Sequence, residues 1–225
     1  MIQIDAERPP QLLRNISPCI LLLNGFPGVG KFTISKVLQL IIPSENLTRL
    51  LNNHLTIHPV SAILPECTPE HYTLRKKFRD LAFNTIADLK VDNLVVIMTA
   101  CLVKELEIDR EQYVQHVRLA KKRGVDLCMV NLVCEVETNK QRLQSEERVK
   151  GQEKGKSKLV NGDVLLNIRR DFSLLDPSEM KTEAGVGKVT VRQLALDTTE
   201  LSAEGAAQKV LKWLCRQGIC AAEVS

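Results

Sequence analysis

The stretch Gly25-Phe-Pro-Gly-Val-Gly-Lys31-Phe-Thr33 decides the fold of this chain. It follows the apolar run 17–24, which is typical of a strand buried on both faces, and residues 31–41 after it are predicted to form a helix. Glycines let backbone N–H groups approach a phosphate closely, the helix N-terminus adds unpaired donors, and Lys31 adds a full positive charge. The stretch satisfies the G-x-x-x-x-G-K part of the Walker A motif in the strand–turn–helix context that the motif requires. The predicted phosphate-binding residues are Gly25, Phe26, Pro27, Gly28, Val29, Gly30, Lys31, Phe32 and Thr33.

The motif departs from its usual form directly after the lysine. Phe32 occupies the position where a serine or threonine normally holds Mg²⁺, and Thr33 follows one place later. A phenylalanine side chain cannot bind a metal. We therefore predict that Mg²⁺ is held either by Thr33 or largely by water and phosphate oxygens.

A second, similar stretch serves as an internal comparison. Gly185-Val-Gly-Lys-Val-Thr190 nearly repeats residues 28–33, but Thr182 stands where the first glycine is needed. A charged segment precedes it instead of a strand, and a strand-like run follows instead of a helix. This stretch is interpreted as a turn without a ligand.

Hydrophobic periodicity predicts strands that alternate with helices. The predicted strands are 17–24, 47–51, 93–98, 125–133 and 190–196, and the predicted helices are 31–41, 69–89, 109–123, 135–147, 164–170 and 202–214. This alternation indicates an α/β fold with a parallel sheet covered on both faces. The predicted organisation is a polar lead-in over 1–16, one domain over 17–217 and a C-terminal tail over 218–225.

Composition indicates an ordinary globular protein. The 225 residues include 31 Lys plus Arg against 27 Asp plus Glu, a net charge of +4 that is too small to indicate a nucleic-acid partner. No apolar run reaches the ~20 residues of a membrane span, and the N-terminus lacks the apolar core of a signal peptide, so we expect a cytoplasmic location and no membrane partner.

The seven cysteines contain no C-x-x-C pair, which favours reduced thiols and a reducing compartment. The four predicted to be buried are Cys19, Cys101, Cys128 and Cys134. The sequence does not predict the oligomeric state.

Two classes of nucleotide-binding protein fit poorly. A GTPase should carry N-K-x-D, but Asn139-Lys-Gln-Arg142 lacks the aspartate, and no predicted strand ends in D-x-x-G. Large ATPase machines need a carboxylate where a neighbouring strand ends, and the strand that ends near Cys101 has none. Both interpretations are weakened.

The remaining pattern resembles the P-loop small-molecule kinases, which include nucleoside monophosphate kinases, shikimate and gluconate kinases and chloramphenicol phosphotransferase-like proteins. Three features carry the resemblance: the G-K-x-T loop, a basic segment over 142–170 and the ending 196–204, a strand followed by a capped helix. The basic segment has eight Lys or Arg residues against four acids. The resemblance implies a three-layer fold with a five-stranded parallel sheet in the order 2-3-1-4-5, ATP with Mg²⁺, and a lid formed by residues 142–170, here called the lid segment.

Several residues are candidates for chemistry at such a site. Arg142 and Arg148 would stabilise charge on the transferred phosphoryl group when the lid closes, although a solvated basic loop is the alternative. The predicted acceptor side follows the second strand, where Asn52 and Asn53 stand in place of the acid of related kinases, and His54 is either a base or a structural polar residue. On the next long helix, Arg75 and Arg79 share a face that either binds an anionic acceptor or is simply solvated; of the two, Arg75 is the predicted acceptor-binding residue.

The leading hypothesis is a kinase that moves the γ-phosphoryl group of ATP to a small-molecule hydroxyl or phosphate acceptor. The alternative is an ATP-binding regulator that has lost phosphoryl transfer, which Phe32 and the Asn52/Asn53 pair would suit. A plain ATPase or GTPase ranks third.

Overall fold

Five parallel strands form one sheet in the order β2-β3-β1-β4-β5. The structure is a computed structural model, and it describes residues 15–146, 159–180 and 189–220. The strands are β1 (Cys19–Asn24), β2 (Leu47–Leu51), β3 (Leu94–Ala100), β4 (Asp126–Val133) and β5 (Val191–Asp197). The predicted fold class and the predicted strand order are both confirmed.

Seven α-helices occur in the described ranges. They are α1 (Lys31–Ile41), α2 (His54–Ile63), α3 (Pro69–Asp88), α4 (Glu107–Arg123), α5 (Val136–Leu143), α6 (Gly162–Asp171) and α7 (Ala203–Arg216). Helix α2 is absent from the sequence prediction because Pro59 lies in its middle, and an internal proline is a helix-breaking signal. Helix α5 ends at Leu143, earlier than the predicted helix over 135–147.

The helix ends follow the residues that cap them. The Thr68 hydroxyl accepts a hydrogen bond from the His71 N–H at 3.4 Å where α3 begins, and Ser202 accepts one from the Gly205 N–H at 3.0 Å where α7 begins. Gly124 ends α4 with a φ of 67°, a left-handed conformation that favours glycine. Local sequence thus determines these three boundaries.

Alternate residues of the central strands point to opposite faces of the sheet and form two separate cores. On one face, α1 and α7 pack through residues such as Leu38 and Val210 against Leu21 of β1. On the other face, α3 and α4 pack through residues such as Phe83 against Leu22. Both faces are therefore covered, which explains the continuous apolar runs of β1 and β3.

The packed core extends slightly beyond the predicted limits 17–217. Ile16 and Ile219 are both buried in the core of the α1 and α7 face, and the Ser17 N–H donates to the Ile219 carbonyl at 2.8 Å. A disulfide joins Cys215 to Cys220 at this end, whereas the four cysteines in or beside apolar runs are free thiols. The interpretation as reduced thiols therefore holds for those four and not for this C-terminal pair.

Some sequence predictions fall outside the described residues. These are the middle of the lid segment (147–158) with Arg148, and most of the near repeat with its Lys188. Among the helices of the described ranges, none is both long and apolar enough to cross a bilayer.

Candidate functional site

The loop between β1 and α1 is shaped to receive an anion. Gly28 and Gly30 have φ values of 87° and 97°, which let successive backbone N–H groups turn toward one side of the loop. Gly30 is the N-cap of α1, and within this described helix no side chain caps the N-terminus and no acid lies in the first turn. The first N–H groups of α1 are therefore available to a phosphate.

Lys31 is folded back over this loop. Its ammonium group donates hydrogen bonds to the Gly25 carbonyl at 2.5 Å and to the Phe26 carbonyl at 2.9 Å. The positive charge thus lies above the same loop that presents the backbone donors, where it can bind the outer phosphates of a nucleotide.

Two residues that were not among the predicted site residues, Asn139 and Arg169, contact the phosphate-binding loop. Asn139 of α5 is fully buried, and its amide donates to the Pro27 carbonyl at 2.8 Å. The Asn139 side-chain oxygen accepts a hydrogen bond from Arg169 of α6 at 2.7 Å. The Arg169 guanidinium also donates to the Cys134 carbonyl and lies 5.7 Å from the centre of the Phe26 ring. Helix α5, in which the lid segment begins, and helix α6, in which it ends, are therefore both tied to the phosphate-binding loop.

The predicted acceptor residues Asn52, Asn53 and Arg75 come together where β2 and β3 end. Thr99 is the last residue but one of the apolar strand β3. Its hydroxyl donates to the Asn52 side-chain oxygen at 2.9 Å and accepts from the Asn53 N–H at 3.1 Å. The Arg75 Nη2 donates to the Asn53 side-chain oxygen at 2.9 Å. His54 begins α2 beside them. A single polar residue in an otherwise apolar strand was the signal that could have identified Thr99.

The strand pairing brings this cluster to the same edge of the sheet as the phosphate-binding loop. Asn24, just before the loop, pairs with Ala100, the last residue of β3, and β2 pairs with β3 in parallel. The segments that follow these three strands therefore leave the sheet at the same edge. Burial raises the pKa of the Cys101 thiol directly after β3, and the positive charges of Lys31 and Arg75 oppose that rise.

The charges of this cluster are partly buried. Burial lowers the pKa of Arg75. Burial also lowers the pKa of Arg79, to about 10, and the positive charge of Arg75 adds to this decrease. Burial raises the pKa of Asp109. The hydrogen bond from the Val103 N–H and the positive charges of Arg75 and Arg79 partly offset this increase. Asp109 comes from α4 and was not identified from sequence, because it lies far along the chain from β2, where an acid was expected.

Arg142 contacts the segment that follows β5. Its guanidinium donates to the hydroxyl and carbonyl of Thr198, at 3.1 and 2.7 Å, and to the carbonyl of Thr199 at 3.1 Å. It therefore braces the loop between β5 and α7. A catalytic role for Arg142 stays a prediction, as does that of Arg148, which lies outside the described residues.

The described residues offer few ligands for a metal ion. None of their His, Cys, Asp and Glu side chains form a group of three or more that could hold one. Thr33 is exposed in the first turn of α1. Mg²⁺ in kinases is bound by one or two protein groups together with phosphates and water, so this donor set fits an ion that is held mainly by the nucleotide.

Solved structures with the same fold include two kinases and a protein in complex with ADP-AlF3. A gluconokinase from Sinorhizobium meliloti 1021 is 15% identical, with a TM-score of 0.53 over 91% of this chain and 94% of its own. The APS kinase CysC of Mycobacterium tuberculosis, in complex with AMPPNP and APS, is 15% identical, with a TM-score of 0.51 over 89% and 99%. Chaetomium thermophilum Kti12, in complex with ADP-AlF3, is 16% identical, with a TM-score of 0.53 over 90% and 100%. No curated protein matches the chain in sequence.

A family model described as an AAA domain, AAA_18, matches residues 21–161. The match begins in β1, contains the phosphate-binding loop and all of the acceptor cluster, and covers more than half of the chain. The chain therefore belongs to the AAA_18 family, with the fold of the P-loop small-molecule kinases.

Proposed function

We propose that this protein is an ATP-dependent phosphotransferase that moves the γ-phosphoryl group of ATP, with Mg²⁺, to a small-molecule hydroxyl or phosphate acceptor. The observation that carries the proposal is the position of the acceptor cluster. Asn52 and Asn53, with Arg75 bonded to Asn53, follow β2 at the edge of the sheet where the loop that carries Lys31 follows β1. A protein that only bound a nucleotide would not need a second polar cluster beside the phosphates.

The residues present can perform transfer without a strong base. Phosphoryl transfer through a loose transition state depends mainly on positioning and on stabilisation of charge. Lys31 and the N–H groups of α1 would bind the phosphates, while the amides of Asn52 and Asn53 orient the acceptor. The Asn52 oxygen is already held by the Thr99 hydroxyl, so the acceptor meets a preorganised side chain.

A bound Mg²⁺ would neutralise part of the phosphate charge. Thr33 is the residue that would contribute a protein oxygen to it, with the remaining ligands supplied by phosphate and water. Phe32 occupies the usual ligand position, and a lysine from the next turn of α1, Lys36, lies 4.7 Å from the centre of its ring.

The second candidate is a nucleotide-binding protein without transfer to an acceptor. It is favoured by Phe32 and by the absence of a carboxylate at the end of β3, where Cys101 follows the strand. Kti12 has the same fold and was crystallised in complex with ADP-AlF3.

The two candidates are separated by ADP release from the full chain with ATP and Mg²⁺. We expect at least one acceptor class among nucleoside monophosphates, sugars and sugar acids, and aromatic alcohols to raise ADP release above the acceptor-free rate, with a phosphorylated product. ATP binding without stimulation by any class would instead support the regulator. Rapid hydrolysis that no acceptor changes would support a plain ATPase, and a strong preference for GTP would support a GTPase.

The variant Arg142→Lys tests how Arg142 contributes. A lysine keeps the charge but lacks the planar fork that contacts the Thr198 hydroxyl together with the Thr198 and Thr199 carbonyls, so the loop at residues 198–201 should be held less firmly. We expect KM for ATP to rise roughly 10-fold with kcat nearly unchanged, since the charge is kept and the loop is not a reacting group. A fall in kcat at constant KM would instead support the catalytic role predicted from sequence.

A further inference from the structure

The two cysteines at the end of α7 form the one disulfide among the described residues. Cys215 lies in the last turn of α7 and is bonded to Cys220, five positions later. The other five cysteines of the chain are free thiols, and one of them, Cys67, is exposed. Small secreted domains that depend on disulfides pair most of their cysteines, whereas a disulfide in a protein that keeps its other thiols reduced is usually transient or redox-sensing.

Main-chain hydrogen bonds hold the turn between the two cysteines. Gly218 has a φ of 76°, a left-handed conformation that turns the chain back after the helix, and its N–H donates to the Cys215 carbonyl at 3.0 Å. The next residue, Ile219, is buried, and its N–H donates to the Leu214 carbonyl at 3.0 Å. The Cα atoms of the two cysteines lie 4.8 Å apart. Reduction would therefore remove one bond from a turn that has hydrogen bonds of its own.

The far side of this turn is tied to the segment before β1. Ile16 and Cys220 form an antiparallel bridge, and the Ser17 N–H donates to the Ile219 carbonyl at 2.8 Å. The buried side chain of Asn46 holds this segment in turn, because it accepts from the Ile16 N–H at 2.9 Å and donates to the Ile16 carbonyl at 2.6 Å. We therefore expect Cys220 to stay opposite Ile16 whether or not the disulfide is present.

The disulfide is accessible, and the fold depends on it only modestly. A disulfide stabilises a protein mainly by restricting the unfolded chain, and this effect is small when the sequence separation is only five. Both cysteines of the pair are half-buried, whereas Cys19 and Cys128 inside the sheet are fully buried. A small thiol can thus reach the pair without unfolding of the core.

We propose that Cys215 and Cys220 are a reversible dithiol–disulfide couple, which exchanges electrons with a small thiol such as glutathione while the chain stays folded. A glutathione thiolate attacks one sulfur of the pair, the bond between the two cysteines breaks, and the other cysteine leaves as a thiolate. A second glutathione thiolate then breaks the mixed disulfide. The products are two protein thiols and one glutathione disulfide: the two glutathione molecules supply both electrons and both protons.

This couple is separate from the candidate nucleotide site. It lies against the segment that precedes β1, whereas the phosphate-binding loop follows the last residue of that strand. The inference therefore does not rest on the proposed function.

The test sets the redox state of the full chain with mixtures of reduced and oxidised glutathione, without denaturant. After an acid quench, the free thiols are alkylated and identified by peptide mass spectrometry, while circular dichroism follows the fold. We expect Cys215 and Cys220 to change together from bonded to alkylated over a roughly 100-fold range of the squared glutathione concentration divided by that of glutathione disulfide, as a two-electron couple requires. Circular dichroism should stay unchanged, and Tm should fall by roughly 4–8 °C on reduction.

Two variants make the result specific. Cys220→Ser removes the disulfide, so its Tm should equal that of the reduced wild type and should not respond to glutathione. Cys67→Ser removes an exposed thiol outside the pair and should leave the redox titration of the pair unchanged.

Any of three results would contradict the couple. The pair could stay oxidised at every glutathione ratio until the chain unfolds, which would make the disulfide purely structural. It could stay reduced in oxidised glutathione, or the reduced wild type and Cys220→Ser could both be unfolded.

Discussion

Replacement of Lys31 by alanine is expected to remove phosphoryl transfer almost completely. The ammonium group lies at the phosphate-binding loop, where it donates to the Gly25 and Phe26 carbonyls. Loss of one preorganised donor to developing negative charge typically costs a factor of about 100 to 1,000 in rate. We therefore expect ADP release to fall by roughly that factor, with weaker ATP binding in calorimetry.

The near repeat in the sequence provides a matched control. Lys188→Ala removes the lysine of Gly185-Val-Gly-Lys-Val-Thr190, in an almost identical local sequence that lacks the preceding strand and the following helix. This variant should bind and turn over ATP as the wild type does. If Lys31→Ala retained normal binding and turnover, or if both variants lost them equally, the assignment of the nucleotide site to residues 25–33 would be incorrect.

Gly25→Ala is expected to cause a large loss of stability. A Cβ atom at this position would lie 2.6 Å from the Leu132 carbonyl oxygen and 2.9 Å from Cγ1 of Val29. Leu132 belongs to the central strand β4 and is completely buried, so its backbone cannot move away without disturbing the sheet. We expect the free energy of unfolding to fall by about 3 kcal/mol, the upper end of the usual cost of overpacking. For a chain of this size that corresponds to a decrease in Tm of roughly 6–12 °C.

Gly124→Ala separates this steric effect from backbone strain. Gly124 has a φ of 67° where α4 ends, and an added Cβ would meet no atom within 4 Å. Its replacement should cost only the ~1 kcal/mol of a left-handed alanine, with a decrease in Tm of a few degrees in the same thermal unfolding experiment. Equal destabilisation in the two variants would show that contact with β4 is not the reason that residue 25 is glycine.

The sequence predicted the parts of this molecule that depend on local chemistry. The phosphate-binding loop needs glycines at fixed spacing between a buried strand and a helix, and the caps Thr68 and Ser202 act within three residues of themselves. Those features are readable in one window of sequence. The strand order is not local, and it was predicted from the resemblance to P-loop kinases.

The residues that the sequence did not reveal act over long separations. Asn139 reaches Pro27 across 112 positions, and Arg142 reaches Thr198 across 56. Their role depends on which helix the fold places beneath which loop, and neither residue type carries a signal of that placement. A catalytic role for Arg142 was predicted from its charge and stays a prediction, and its partners on the β5–α7 loop could not be read from its neighbours in sequence.

The contact between helices α5 and α6 makes the stretch that joins them, residues 144–161, separable from the rest of the molecule. The two helices touch where Gly162 packs against Lys140 and Gln144, so the chain leaves the core and returns to it at nearly the same point. Among the described residues, neither core of the sheet includes a residue of this stretch. We therefore expect changes in its length and charge to leave the fold and the phosphate-binding loop as they are.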